Sequence, residues 1–313
     1  MNTPLDIIFM GTPEFAVPAL EALHRVGHAV PLVVTQPDRP RGRGRKTAPP
    51  AVKAAAVRLG LTVAQPASVC RPEFVAQLKS LAPDLFVVVA MGQILSRELL
   101  DIPRLGAVNV HASLLPKYRG AAPIQWALIN GEKETGITTM YMDTGLDTGN
   151  MLLTAHTDIT AEDTAQTLHD RLSMMGADLL LATINKMISN TVTPVPQDHA
   201  QASRAPLLKK EDGRIDWRKP AAALDAFIRG MTPWPGAFTF MGETRLKIFA
   251  ARPAALPSPA APGTVVKSFS NELRVATGEQ ALAILELQEA GGKRLAVRDY
   301  LTGKSVSEGT VLN

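Results

Sequence analysis

Asn109 and His111 stand two positions apart in the run AVNVHAS, residues 107–113, which has the β-branched and small-residue character of a strand. Alternate strand residues project to one face, so Asn109, His111 and Ser113 are expected side by side. An amide N–H can donate to an oxygen that gathers negative charge, and an imidazole can donate or move a proton. The same pair fits two satisfied polar residues at a sheet end, and the spacing does not separate the readings. A second stretch, MDTGLDTGN at residues 142–150, places Asp143 and Asp147 in a glycine-rich loop. By itself it reads as a turn. The ligand spacing and terminal Glu of a calcium loop are missing.

The remaining polar motifs exclude more than they suggest. FMGTPEF sets a glycine turn behind a predicted strand, where backbone N–H groups can meet an anion, but it lacks the G-x-G-x-x-G spacing of a dinucleotide site. The six histidines (His24, His28, His111, His156, His169 and His199) make no ligand set. His24 and His28 lie four apart without the acid of an HExxH motif, and both are expected on the surface. The single cysteine, Cys70, rules out an internal disulfide and a thiolate cluster. No metal is expected.

Elements that could position these residues follow from the hydrophobic pattern. Short β-branched runs at residues 5–11, 29–36, 61–66, 84–92 and 107–113 alternate with helical patterns at 13–27, 51–59 and 71–81. That alternation predicts a mostly parallel α/β sheet flanked by helices, with ligands at the carboxyl ends of its strands. Residues 135–143 and 150–159 extend the same sheet, and a helix over 164–188 closes the domain. Residues 190–206 are rich in Thr, Pro and small polar residues and read as a linker between domains at 1–189 and 207–313. Beyond a helical patch, AAALDAFIRG, the runs TRLKIFA, GTVVKSF, ELRVAT, LAILELQEA and KRLAVRDYL predict five strands of a small β-barrel.

With 313 residues, 46% of them hydrophobic, the chain can bury more than one core. It contains no run of about 20 apolar residues that could cross a membrane, and the first residues lack the pattern of a secretory leader. A cytoplasmic monomer without membrane contact is expected. The net charge of +4 permits a polyanionic partner. Arg39, Arg41, Arg43, Arg45 and Lys46 face only Asp38 within residues 36–46, so this one segment matches the surplus of the whole chain. PDRPRGRGRK has almost no apolar residue and is expected to be a mobile surface loop, either solvated or phosphate-binding.

NVHASLLPKYRG, with Asp147 thirty-six residues beyond His111, resembles the 10-formyltetrahydrofolate-dependent formyltransferase family, which shares an Asn-x-His, a Ser-Leu-Leu-Pro and a downstream Asp in a glycine loop. FMGTPEFA, QPDRPRGRGRK, AAPIQWALINGEKETGITTMYMDTGLDTG, KKEDGRIDW and GMTPWPGAF resemble the branch that formylates methionyl initiator tRNA for translation initiation. The resemblance implies a Rossmann-like catalytic domain followed by an OB-like β-barrel. It puts Asn109, His111 and Asp147 in the catalytic places, with Asp147 either orienting His111 or relaying a proton through water. It assigns Ser113, Leu114, Leu115 and Pro116 to folate contact and Gln93, Ile94 and Leu95 to the pterin pocket, although Ile94 and Leu95 fit ordinary packing equally well. Arg39, Arg41, Arg43, Arg45 and Lys46 become tRNA contacts. Lys209, Lys210, Arg214, Arg218, Lys293, Arg294 and Arg298 offer further cations on the second domain. Amino-sugar nucleotide formylation and plain RNA binding are the rival functions.

Overall fold

A computed structural model describes residues 4–41, 46–269 and 271–313 of the chain. In chain order the first half contains β1 (Asp6–Gly11), α1 (Val17–Arg25), β2 (Ala29–Val34), β3 (Arg39–Arg41), β4 (Lys46–Ala48), α2 (Ala51–Arg58), β5 (Val63–Ala64), α3 (Pro72–Ser80), β6 (Leu85–Val89), α4 (Arg97–Leu100), β7 (Ala107–His111), β8 (Arg119–Gly120), α5 (Pro123–Ile129), β9 (Glu134–Tyr141), β10 (Met151–Asp158) and α6 (Ala165–Ile188). The chain divides into two compact units. One comprises residues 1–120, 134–157 and 169–205, and the other comprises 121–133, 158–168 and 206–313.

The first unit is built on a seven-stranded sheet of order β10-β9-β7-β6-β1-β2-β5. Strands β5, β2, β1, β6 and β7 run parallel, and β9 pairs antiparallel to β7. Its central strands, DIIFMG and LFVVV, are almost continuously apolar because helices bury them on both faces. On one face Ile8, Met10, Phe86 and Val88 pack with Phe74, Leu78 and Leu99. Each such side chain contributes about 1.5–3 kcal/mol by burial. The strand order reverses at β1, with β2 on one side and β6 on the other, and such a switch point opens a crevice at the strands' carboxyl ends.

The second unit follows β11 (Arg204–Ala205, which belongs to the first unit and pairs with β8) and contains α7 (Ala221–Met231), β12 (Ala237–Met241), β13 (Thr244–Ala254), β14 (Val265–Phe269), β15 (Glu272–Ala276), β16 (Ala281–Glu289), β17 (Arg294–Ala296) and α8 (Val297–Gly303). Its sheet runs β12-β13-β16-β15-β14, with β17 paired to β16. The terminal residues bridge both outer strands: Leu312 pairs with Met241 and Val311 with Thr264, which closes the sheet toward a barrel. Ile215, Trp217, Leu224, Ile228, Leu246, Ile284 and Leu287 form its core, and the Trp217 indole donates to Thr239 Oγ1 at 3.0 Å.

Two predicted elements differ. AFTFM forms β12, a strand the periodicity does not isolate, and only the first three residues of RLAVRDYL are strand. From Val297 the chain turns into α8, because Val297 and Tyr300, three apart, both reach the core from one helical face. His28 also departs from expectation. It is buried, and its Nδ1 accepts the Leu5 N–H at 3.2 Å, tying the turn after α1 to the start of β1.

Candidate active site

Asn109 and His111 lie at the carboxyl end of β7, in register with Met140 and Thr138 of β9. The loop leaving β9 returns over them and brings Asp147 to the same place. Asp147 Oδ2 is 3.7 Å from His111 Nδ1, and Asn109 Nδ2 donates toward Oδ1 at 3.5 Å. The carboxylate accepts a firmer hydrogen bond, 2.8 Å, from the Gly120 N–H. The side chains of His111 and Asp147 are 7% and 12% exposed, so their interaction is only weakly screened by water. His111 Nε2 lies 2.9 Å from the Tyr118 carbonyl, which can only accept, so that nitrogen carries a hydrogen. Nδ1 is left facing Asp147 as the nitrogen that gives or takes a proton.

The Asp147 loop is held in an uncommon shape. Asp147 has φ +53°, a left-handed conformation costing a non-glycine residue on the order of 1 kcal/mol, although Asp tolerates it better than most. Gly149 is required on other grounds, because a Cβ there would fall 1.8 Å from the Tyr141 carbonyl oxygen. Asp143 stays within the loop, accepting from Gly145 N at 2.9 Å and from Thr148 Oγ1 at 2.6 Å. It is therefore a turn former, whereas Asp147 points at the histidine.

Sequence reasoning misses three residues here. Gln197 Nε2 donates to the Asp147 and Gly149 carbonyls at 2.9 and 2.8 Å, and Arg119 donates to Gln197 Oε1 through Nε and Nη2. Gly120 supplies the N–H to the carboxylate; its φ is +126° and a Cβ would meet the Ala205 carbonyl oxygen at 2.6 Å. Gly120 stands inside the NVHASLLPKYRG motif, so the sequence carries a signal for it; Gln197 lies in the expected linker and has none.

The residues assigned to folate fall into two groups. Ser113 is fully buried, with its Oγ donating to the Lys117 carbonyl at 2.6 Å, and its own carbonyl accepts from Thr138 Oγ1 at 2.7 Å. Leu115 is buried beside it, and its N–H donates to Thr138 Oγ1, while Leu114 and Pro116 are half-buried at the same turn. Leu95 belongs to the core, and Gln93 Oε1 accepts the Val69 N–H. Ile94 stands apart at 83% exposure, an apolar side chain with no cover, and fits a wall for a flat apolar ligand. A cleft of about 390 Å³ lies near the ends of β1 and β2, lined by Thr12, Gln36, Arg39, Pro49 and His169 among others.

Described residues on either side of the basic segment's centre form two short strands. Residues 39–41 and 46–48 pair antiparallel, Arg39 with Ala48 and Arg41 with Lys46, because backbone pairing needs no apolar side chain. Arg39 donates to Gln36 Oε1 at 3.2 Å. Arg43 and Arg45 lie outside the described residues, as do the side chains of Arg41 and Lys46. On the second unit Arg218 pairs with Asp216, Arg294 with Glu286 and Arg298 with Asp299, while Lys209, Lys210, Arg214 and Lys293 are exposed. Among the described residues no three His, Cys, Asp or Glu side chains are grouped to hold a metal, and no helix is long and apolar enough to cross a membrane.

The formyl transferase family model matches residues 5–184, which include the whole Asn109, His111 and Asp147 constellation, and the formyl transferase C-terminal domain model matches 207–305. The chain belongs to the formyl transferase family. Family relatives are similar over nearly their full length. A methionyl-tRNA formyltransferase of Citrifermentans bemidjiense is 50% identical over 310 residues, covering 99% of this chain and 97% of the relative. One from Caldanaerobacter subterraneus subsp. tengcongensis is 51% identical, with 98% and 100% covered. Among solved structures, an N-formyltransferase from Helicobacter canadensis in complex with folinic acid and dTDP-3-aminofucose matches with TM-score 0.66 at 20% identity, covering 93% of this chain and all of that one. HypX from Aquifex aeolicus in complex with tetrahydrofolic acid matches with TM-score 0.64 at 15% identity, covering 98% of this chain and 51% of that chain. At these identities the structural likeness shows the formyl transferase fold alone.

Proposed function

We propose that this chain transfers the formyl group of 10-formyltetrahydrofolate to the free amino group of methionyl initiator tRNA, in the cytoplasm. The observation that carries this reading is the identity of about 50% to methionyl-tRNA formyltransferases, extending through both units. The family-model matches leave residues 185–206 between them, which supports 190–206 as the functional division between a catalytic and a C-terminal domain.

In the reaction a bond forms from the acceptor amine to the formyl carbon, the bond from that carbon to the donor's ten-position nitrogen breaks, and one proton passes from amine to leaving nitrogen. Three tasks fall to the protein. Asn109, whose amide lies at the open end of β7, donates to the formyl oxygen as negative charge gathers there; one such donor is worth about 10²–10³ in rate. His111 Nδ1, facing Asp147, is placed to take and return the proton. Asp147, with its Oδ2 opposite Nδ1, holds that imidazole in position. Ile94, Leu114 and Pro116 supply apolar contact for the folate, and the inward-facing Ser113, Leu115, Gln93 and Leu95 set the backbone that carries them. The Arg39, Arg41, Arg43, Arg45 and Lys46 segment meets tRNA phosphates.

The test follows formyl-labelled 10-formyltetrahydrofolate mixed with the purified protein and methionyl initiator tRNA. Label recovered as N-formylmethionine after deacylation is the expected result. Bound tRNA with no label transferred would instead make the chain an RNA-binding protein.

A further inference from the structure

We propose that Gln197, on the segment between the two family-model matches, is a positioning residue of the active site, acting through Asp147. Asp147 is held at two points. Its carboxylate accepts from Gly120 N at 2.8 Å, and its backbone carbonyl accepts from Gln197 Nε2 at 2.9 Å. The same amide nitrogen donates to the Gly149 carbonyl at 2.8 Å, so both of its hydrogens clamp the loop on either side of Thr148. Gln197 is itself fixed. It is 6% exposed, and its Oε1 accepts from both Nε and Nη2 of Arg119, whose Nη2 also lies 3.1 Å from His199 Nδ1. A buried amide with both polar atoms engaged is a rigid holder, and the guanidinium, which can only donate, requires the amide oxygen to face it and the nitrogen to face the loop.

The other hold on Asp147 depends on the same segment. Arg204 and Ala205 pair with Arg119 and Gly120, so β11 fixes the strand whose Gly120 N–H meets the carboxylate. Ser203 Oγ accepts the Tyr118 N–H at 2.9 Å, and the Tyr118 carbonyl is the partner of His111 Nε2. Residues 197–205 thus bear on Asp147 from its backbone, on Asp147 from its carboxylate and on His111 from its far nitrogen. A polar stretch with no catalytic side chain of its own sets the separation between the two groups that handle the proton. Without the Gln197 amide, the left-handed turn at Asp147 loses the bonds that select it, and the carboxylate leaves its place opposite Nδ1.

This inference rests on the formyl-transfer reading, so the unaltered protein must first transfer label to methionyl initiator tRNA; failure there counts against that reading and not against Gln197. The test is a double-mutant cycle on kcat with Gln197→Leu and Asp147→Asn. Gln197→Leu alone should lower kcat about 10- to 100-fold, with KM for both substrates within about threefold and a circular dichroism spectrum unchanged. In the Asp147→Asn background the same change should cost less than about twofold, because the group it positions is already impaired. An equal loss in both backgrounds, or a rise in KM with kcat preserved, would overturn the proposal. If Gln197→Leu does not fold, Arg119→Gln, which removes the outer support of Gln197, takes its place in the cycle with the same two outcomes.

Discussion

In the proposed mechanism Asp147 is the residue on which the chemistry turns, because it touches Asn109, His111 and the backbone of the SLLPKYRG segment together. Asp147→Asn keeps the size and the acceptor for Gly120 but removes the charge opposite Nδ1, so kcat should fall about 10²–10⁴-fold, the range of a lost acid–base group, while folate binding measured by fluorescence quenching persists. Near-normal turnover would remove Asp147 from the mechanism. Asn109→Ala should cost about 10²–10³ in kcat with little change in KM, as expected of a donor used only when charge develops. Gly120→Ala is a sharper structural probe. Its Cβ cannot coexist with the Ala205 carbonyl at 2.6 Å, and φ +126° is strained for alanine, so a melting point lower by several degrees should accompany loss of turnover. An active, equally stable Gly120→Ala protein would mean that the β8–β11 pairing is dispensable. Asn109 and His111 are legible in the sequence because strand period alone puts them on one face. Asp147 becomes legible only through the family resemblance, since its approach depends on the β7–β9 pairing, which local spacing does not encode.

Among the elements, the turn between α1 and β2 carries a titratable latch. His28 accepts the Leu5 N–H while buried, and burial holds its pKa below the ordinary 6.5. Because the unfolded chain binds the proton more readily, this contribution to stability is complete above pH 6.5 and declines as the pH falls toward the lowered folded value. Thermal melts at about pH 7.5 and about pH 5.5 should therefore differ more for the natural protein than for His28→Asn, which keeps an acceptor and cannot titrate in that range. Equal differences would contradict the assignment. The paired strands β3 and β4 carry the proposed tRNA contact, which a measurement can check. Replacing Arg39, Arg41, Arg43 and Arg45 with Ala should weaken tRNA binding and flatten its dependence on salt by roughly 0.7–0.9 in log–log slope for each phosphate no longer neutralised. An unchanged slope would place these strands away from the RNA. The central strands are readable because they are apolar on both faces. α8 is not, because Leu295 and Val297 extend an alternating pattern while Val297 and Tyr300 share a three-residue spacing, and only the core around Tyr300 decides between them. Residues 190–206 read as a linker from their Thr and Pro content, which says nothing of an amide that faces carbonyls about fifty residues away.

At the scale of the molecule, the fold is shared with a sugar 3N-formyl transferase at 18% identity, whereas the relatives at about 50% identity are methionyl-tRNA formyltransferases, so architecture leaves the acceptor open and the sequence must decide it. The first unit brings Asn109, His111 and Asp147 together at the end of β7. On the proposed function, the exposed cations of the second unit and the paired strands β3 and β4 of the first are where a large polyanion would be told from a small nucleotide sugar. The most direct measurement is a competition in one vessel: limiting labelled 10-formyltetrahydrofolate, the purified chain, methionyl initiator tRNA and dTDP-3-aminofucose, with products separated after a single turnover. Formyl transfer to methionyl initiator tRNA through Asp147 predicts label in N-formylmethionyl-tRNA, abolished by Asp147→Asn. Label in the amino sugar, or label on the tRNA that is indifferent to Asp147→Asn, would contradict it.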